Sequence, residues 1–237
     1  MCRVAPVKRT ILVLCSGMTT APRPTSFAPD LPFKFVGGDP AVDLVNTVDW
    51  TSTGLVEDRL SDFDRLTRWA EGAGLLVPRL GAQFRAAAAE RPRAAEGALR
   101  AAKQLRWNLR QLFCAVARGE SPAKQPEMAE LNELLASALA QLQLVGVPNG
   151  GASGPALQWG WRDAADRLDS ILWPVVRAAA ELLVSDEAAR IRECGGLECG
   201  WMYVDRSRNG LRRWCQMESC GTREKSRRRA GRRIAQR

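Results

Sequence analysis

Between residues 39 and 184 the apolar residues return every three or four positions, the period of an amphipathic helix. In DPAVDLVNTVDW, Asp39 can cap a helix and Pro40 suits its first position. Ala41, Leu44, Val45 and Val48 then share one face. LSDFDRLTRWAEGAGLL repeats the pattern: Ser61 is the candidate cap, Phe63, Leu66, Ala70 and Ala73 line a face, and Gly72 and Gly74 end it. From Leu80 to Gly119 the chain is helical in character and broken at Pro92. After the break Leu99, Ala102, Leu105, Leu109, Leu112, Phe113 and Val116 form a long stripe. SPAKQP (Ser121 to Pro126) is a linker, and a helix from about Glu127 turns Leu131, Leu134, Leu135, Ala138 and Leu142 inward. VGVPNGGASGP is a loop, ALQWGW a short strand or extended connection, and a last helix runs from about Asp163 to Leu183 with a kink at Pro174. No internal repeat is present.

The helical period stops near Ser185 to Arg192, and the charge changes there too. Residues 1–189 hold 21 Lys+Arg and 21 Asp+Glu; residues 190–237 hold 14 against 5, so the whole net charge of +9 sits in the last 48 residues. Codon bias explains 30 Arg against 5 Lys overall, but not their confinement to one end. A basic block of this kind favours polyanions. At 46% apolar the chain can bury a core, and no apolar run approaches the ~20 residues of a membrane helix. MCRVAPVKRTILVLC is too short in apolar residues for a signal peptide, so residues 1–31 read as a disordered leader, with Met18 an alternative start. A cytoplasmic location is expected.

The chain has no histidine, which excludes Ser-His-Asp and Cys-His catalysis, the H-E-x-x-H zinc protease and the zinc finger built on two cysteines and two histidines. No other spacing suggests catalysis, and no enzyme activity is expected. Four of the seven cysteines lie as C-x4-C (Cys194, Cys199), fifteen residues, then C-x4-C (Cys215, Cys220). Two such pairs are a recognised pattern for one structural zinc ion. Two disulfides, an iron–sulfur cluster and inert thiols are the alternatives. GWMYVD and LRRWC are plausible strands joined by a turn at Ser207 to Gly210, with Trp201, Tyr203 and Trp214 as a mini-core. The expected fold is thus mainly α. An N-terminal all-helical domain (32–188) precedes a small four-cysteine zinc-finger module (189–237) made of a β-hairpin and a basic helix.

SRNGLRRWCQMESCGTREKSRRRAGRR resembles the CGNR zinc-finger family, whose members carry a Ser-Arg-Asn turn, an Arg-Arg-Trp-Cys strand and a final Cys-Gly-Asn-Arg with a basic helix. GGDPAVDLVNTVDW, DRLTRWAEGAGLL and LNELLASAL resemble the ABATE-type helical domain that precedes this finger. Together the resemblance spans about Pro32 to Arg233. It implies a stress-induced transcription regulator whose finger binds DNA. The final motif reads Cys220-Gly221-Thr222-Arg223 here, and Thr can still cap a helix in place of the family's Asn.

The residues after Cys220 can form a helix. Arg212, Arg213, Arg227, Arg228, Arg229, Arg232 and Arg233 are expected at phosphates, and Arg208, Asn209, Arg223 and Lys225 at base edges. DNA is the expected partner and RNA the alternative. Asp39, Asp43, Asn46 and Trp50 fall at helical spacing opposite the apolar face and, with Thr47 and Asp49, could edge a pocket for an unnamed small-molecule effector, with Asp43, Asn46, Thr47 and Asp49 as its candidate contacts, against the plainer reading of a capped helix with a solvated polar face. The helical domain could also serve dimerisation, giving a homodimer.

Overall fold

The computed structural model describes residues 26–27, 32–51, 54–147 and 156–235. The leader and the alternative start at Met18 lie outside these residues, apart from Ser26–Phe27, a two-residue strand (β1) that pairs in parallel with Glu57 and Asp58. The architecture is mainly α with small strand pairs, as expected.

Helix α1 (Pro40–Val45) begins as the sequence suggests, with Asp39 accepting from the Ala41 amide at 2.8 Å and Pro40 in the first turn. It is shorter than its apolar spacing predicts. The chain leaves the helix at Asn46 and becomes a strand, β2 (Val48–Thr51), antiparallel to β3 (Gly54–Asp58). The cause is tertiary. Asn46 is claimed by the C-terminal segment, and the Trp50 indole donates back to the Val45 carbonyl at 2.8 Å, folding the strand over the helix end.

Helix α2 (Phe63–Gly72) is capped by Asp62 rather than Ser61: its carboxylate accepts from the Arg65 amide at 2.8 Å, while Ser61 only donates to Asp62. A carboxylate at this end also suits the helix dipole. Helices α3 (Pro78–Glu90) and α4 (Pro92–Ala117) divide at Pro92, as predicted. At 26 residues α4 is about 39 Å long, and it buries Ala102, Leu105, Leu109, Leu112 and Phe113 at the centre of the core. Helix α5 (Glu127–Leu139) buries Leu131 and Ala138 but leaves Leu134 exposed. The ALQWGW stretch is a strand: β4 (Leu142–Gly146) pairs antiparallel with β5 (Leu157–Trp161). The single helix expected from Asp163 is two short 3-10 turns followed by α6 (Trp173–Val184). Pro174 therefore sits in the first turn of α6, where its missing N–H costs nothing, and causes no kink.

One ion network lies inside. Asp58, fully buried, takes a bidentate contact from Arg106 at 2.7 and 2.9 Å and a further cation from Lys103 at 3.1 Å. Burial pushes the Asp58 carboxyl up, but the Arg106 hydrogen bonds and charge outweigh it and hold it below its ordinary value. Arg106 also donates to Thr47 at 3.0 Å, fixing α4 to the α1–β2 corner.

The C-terminal segment contributes β6 (Ile191–Glu193), β7 (Met202–Val204) and α7 (Thr222–Ala235). Its hairpin differs from the sequence expectation. β7 pairs with β6, upstream of the first cysteine, in the register Ile191–Val204, Arg192–Tyr203 and Glu193–Met202. The LRRWC stretch is irregular and is held by side-chain contacts and by a backbone hydrogen bond from the Gly195 amide to the Arg213 carbonyl at 2.9 Å. The mini-core is also not separate. Trp201, Met202, Tyr203, Val204 and three of the clustered cysteines belong to one continuous apolar core with α1, α4 and α6.

Candidate metal centre and nucleic-acid interface

Two turns bring the cysteines together. In Cys194–Cys199 the chain reverses through Gly195 and Gly196, with Glu198 in the left-handed region at φ 56° and the Cys199 amide donating to the Gly196 carbonyl. A Cβ on Gly196 would lie 3.2 Å from the Cys220 sulfur, so this close approach favours glycine. In the second pair Cys215 precedes, and Cys220 lies within, a π-helical turn, Met217–Gly221, that runs directly into α7. The four sulfurs all lie within 4.8 Å of one another.

The spacing fits one tetrahedral ion held by four sulfurs. Sulfurs at ~2.3 Å from one tetrahedral Zn²⁺ stand about 3.8 Å apart. Cys199 and Cys215 are 3.8 Å apart, and Cys215 and Cys220 3.6 Å. A disulfide needs about 2.05 Å, and the cysteines are not bridged. Sulfurs bound to different irons of a cluster would stand farther apart than sulfurs sharing one ion. Two of the sulfurs also accept hydrogen bonds from the surrounding backbone and from an arginine. The Gly196 and Cys215 amides donate to the Cys194 sulfur at 3.4 and 3.2 Å, and the Arg223 guanidinium to that of Cys220 at 3.4 Å. Hydrogen bonds from Cys199 and Cys215 bring the Cys194 thiol down to about 7. Those from the other three cysteines, with the Arg223 charge, hold Cys220 lower still, while Cys199 and Cys215, as donors, are pushed up. Cys194, Cys199, Cys215 and Cys220 are thus positioned to bind one zinc ion, with every tetrahedral position taken by sulfur.

The centre is welded to the helical body. The Asn46 amide meets β7 as a strand would: Nδ2 donates to the Met202 carbonyl at 2.8 Å, and the Met202 amide donates to Oδ1 at 2.9 Å. The Trp201 indole donates to Asp49 at 3.0 Å and the Val48 carbonyl at 3.2 Å, under the Arg59 guanidinium at 5.2 Å from its ring. Arg59 in turn pairs with Asp49 at 3.0 Å. Arg110, buried on α4, reaches the Gly200 carbonyl between the second cysteine and β7, and Glu193 at 2.6 Å. Arg206 joins Glu187 at 2.6 Å and the Gly38 carbonyl.

The four candidate pocket contacts therefore have internal partners. Asp43 accepts from the Gly37 amide at 2.7 Å, Thr47 donates to the Leu44 carbonyl at 2.7 Å, and Asn46 and Asp49 hold the finger. Asp43, Asn46 and Thr47 are buried rather than solvated, and Asn46 and Asp49 meet the C-terminal segment. Burial raises the Asp43 carboxyl to about 6.

The basic residues divide into two groups. Arg212 faces inward: its guanidinium donates to the carbonyls of Val36 (2.9 Å), Trp214 (3.0 Å) and Cys215 (2.5 Å) and stacks on Tyr203 at 4.1 Å. Tyr203 donates to the Arg212 carbonyl at 2.6 Å. Arg208, Asn209, Arg213, Arg223, Lys225, Arg227, Arg228 and Arg229 lie wholly or partly exposed. Arg227 and Arg228 share Glu224, at 2.7 and 3.2 Å. Arg232 and Arg233 continue the α7 backbone. The Ser207–Gly210 turn that presents Arg208 and Asn209 is organised by Asp205, which the sequence reading missed. It accepts from the Ser207 amide (2.9 Å) and hydroxyl (2.6 Å) and the Arg212 amide (3.0 Å). Burial pushes its carboxyl up, but the Ser207 and Arg212 bonds hold it below its usual value. The Asp-x-Ser signature of an Asx turn at 205–207 was the available signal.

Among the described residues no helix is long and apolar enough to cross a membrane. No curated protein matches the chain. Two family models do: residues 38–186 match ABATE, described as "Putative stress-induced transcription regulator", and residues 190–233 match the CGNR zinc finger. The first covers more than half of the sequence and ends where the helical period stops, and the second encloses all four sulfurs. The chain belongs to the ABATE family, and the segment that follows that domain matches the CGNR zinc finger.

Proposed function

We propose that this protein is a DNA-binding transcription regulator in which the zinc centre aims the Ser207–Gly210 turn and helix α7 at one stretch of duplex. The observation that carries the reading is the attachment of α7. The helix starts two residues after the last metal ligand and presents Arg223, Lys225, Arg227, Arg228 and Arg229 within its first two turns or so. A cationic helix whose base is fixed by four sulfurs, themselves fixed to a helical core, presents its charges in a constant arrangement. Arg213, Arg227, Arg228 and Arg229 serve as phosphate contacts, which position without specifying, and Arg208, Asn209, Arg223 and Lys225 as contacts to base edges. Arg212 belongs to the scaffold. The helical body acts as the platform that bears the finger, with α1 and α4 as the route by which a signal would reach it.

The test is a titration of duplex DNA and of structured RNA across salt. Affinity for duplex should fall with log salt at a slope near −0.9 for each phosphate neutralised, and Arg227→Ala/Arg228→Ala/Arg229→Ala should flatten it. A salt-insensitive affinity counts against the reading, and tighter binding to RNA at matched salt would redirect it.

A further inference from the structure

Beside the zinc centre lies a cleft of about 620 Å³, between Phe35–Gly38 on one side and Leu211–Glu218 on the other. Its wall is unusual for a charged module. Leu211 and Met217 are 74% and 51% exposed, Phe35 is exposed, and Trp214 is half-buried under the Arg213 guanidinium at 5.4 Å. Leu211 follows the Ser207–Gly210 turn directly, and Met217 opens the π-helical turn into α7. The apolar side chains thus stand between the two basic elements. Side chains of this kind, flanked by cations, enter DNA by wedging at a base step, the phosphates being held on either side. Glu218 on the rim would repel a phosphate but, with Gln216, offers hydrogen-bonding groups to a neutral base.

We propose that this cleft receives an unstacked nucleobase, with Leu211 and Met217 as the wedge and Trp214 as the stacking surface. The finger then prefers duplex DNA holding an unpaired base to fully paired duplex. An unpaired base enters at lower cost because its stacking and pairing are already weakened. The proposal rests on the DNA-binding reading but adds a site that the basic residues do not supply.

The experiment uses the full zinc-loaded chain and two duplex probes of equal length, one fully paired and one with a single-base bulge of 2-aminopurine, read by anisotropy and by the probe's fluorescence. The bulged duplex should bind about five- to tenfold tighter, as expected for one base stacked on an aromatic surface, with a change in 2-aminopurine emission. Leu211→Ala/Met217→Ala should remove that preference and leave zinc content and salt slope unchanged. Leu211→Gln, a neutral substitution at an exposed position, should do the same if the double variant loses zinc. Equal affinity for the two probes with a normal salt slope overturns the base site alone. No binding to either overturns the DNA reading with it. A preference that survives both variants also overturns the assignment. So does a concentration-dependent doubling of mass abolished by Leu211→Gln, which would give the cleft to a second copy of the chain.

Discussion

Replacing Asn46 by Ala removes both hydrogen bonds to Met202, at 2.8 and 2.9 Å, while changing little else on α1. Asn46 and Met202 are both buried, so the Met202 N–H and C=O would lose their partners out of reach of water. Each unsatisfied buried group costs about 1–3 kcal/mol, and the removed amide no longer needs to be desolvated, so the net loss should be about 2–4 kcal/mol. The assay is denaturant unfolding of the zinc-loaded protein. Asn46→Asp separates the two bonds. A carboxylate can still accept from the Met202 amide but cannot donate to its carbonyl, so this variant should also be destabilised. The penalty should shrink once zinc is chelated, because the β7 segment is then held less firmly against α1. A loss under about 0.5 kcal/mol for Asn46→Ala with zinc bound, or an equal loss with and without zinc, would refute the view that this side chain joins the finger to the body.

Three further outcomes follow from the same geometry. Burial raises the Asp43 carboxyl to about 6, against ~3.9 in the unfolded chain; its contribution to stability is full below about pH 4 and lost as pH rises through 6, roughly 3 kcal/mol in all. Asp43→Asn should therefore gain stability relative to the parent between about pH 4 and 7 at saturating zinc, and a pH-independent difference in denaturation midpoint would contradict this. A Cβ on Gly200 would lie 2.6 Å from that of Trp50 and 3.1 Å from Arg110, so Gly200→Ala should cost about 1–3 kcal/mol through overpacking, measured by thermal unfolding; an unchanged melting temperature argues against the close approach. Arg212→Ala should lower stability, by orphaning three carbonyls, whereas Arg229→Ala should leave stability within about 0.5 kcal/mol and weaken only DNA binding; equal effects of the two on both measurements would mean that inward and outward arginines are not distinct.

The zinc ligands are legible because cysteine spacing is a local signal: each pair needs only one turn. Most of the helical body is legible from period alone, over stretches long enough for the repeat to show, whereas α7, mostly charged, is expected only from its resemblance to the family's basic helix. The features that escape the sequence are short or decided at long range. Strands of three residues, β6 and β7, carry too little pattern to reveal which partner they take, so the sequence favours LRRWC as the mate of β7 where the structure uses β6. Helix α1 reads too long because the residue that ends it finds its partner 156 positions away. Arginine identity likewise does not tell whether a guanidinium faces solvent or caps carbonyls, as Arg212 does. The Asp43 to Asp49 polar stretch reads as a solvated surface or a pocket edge, and only the segment that covers Asn46 and Asp49 reveals the contact they make.

The measurement closest to the central claim is duplex-DNA affinity of one full-length sample before chelation, after chelation and after zinc is restored, with metal content determined at each step. The account predicts one zinc per chain at the start, loss of binding as zinc falls toward zero, and recovery on restoring it. Undiminished affinity in a sample shown to be free of metal would mean that the four sulfurs do not set the position of the basic helix.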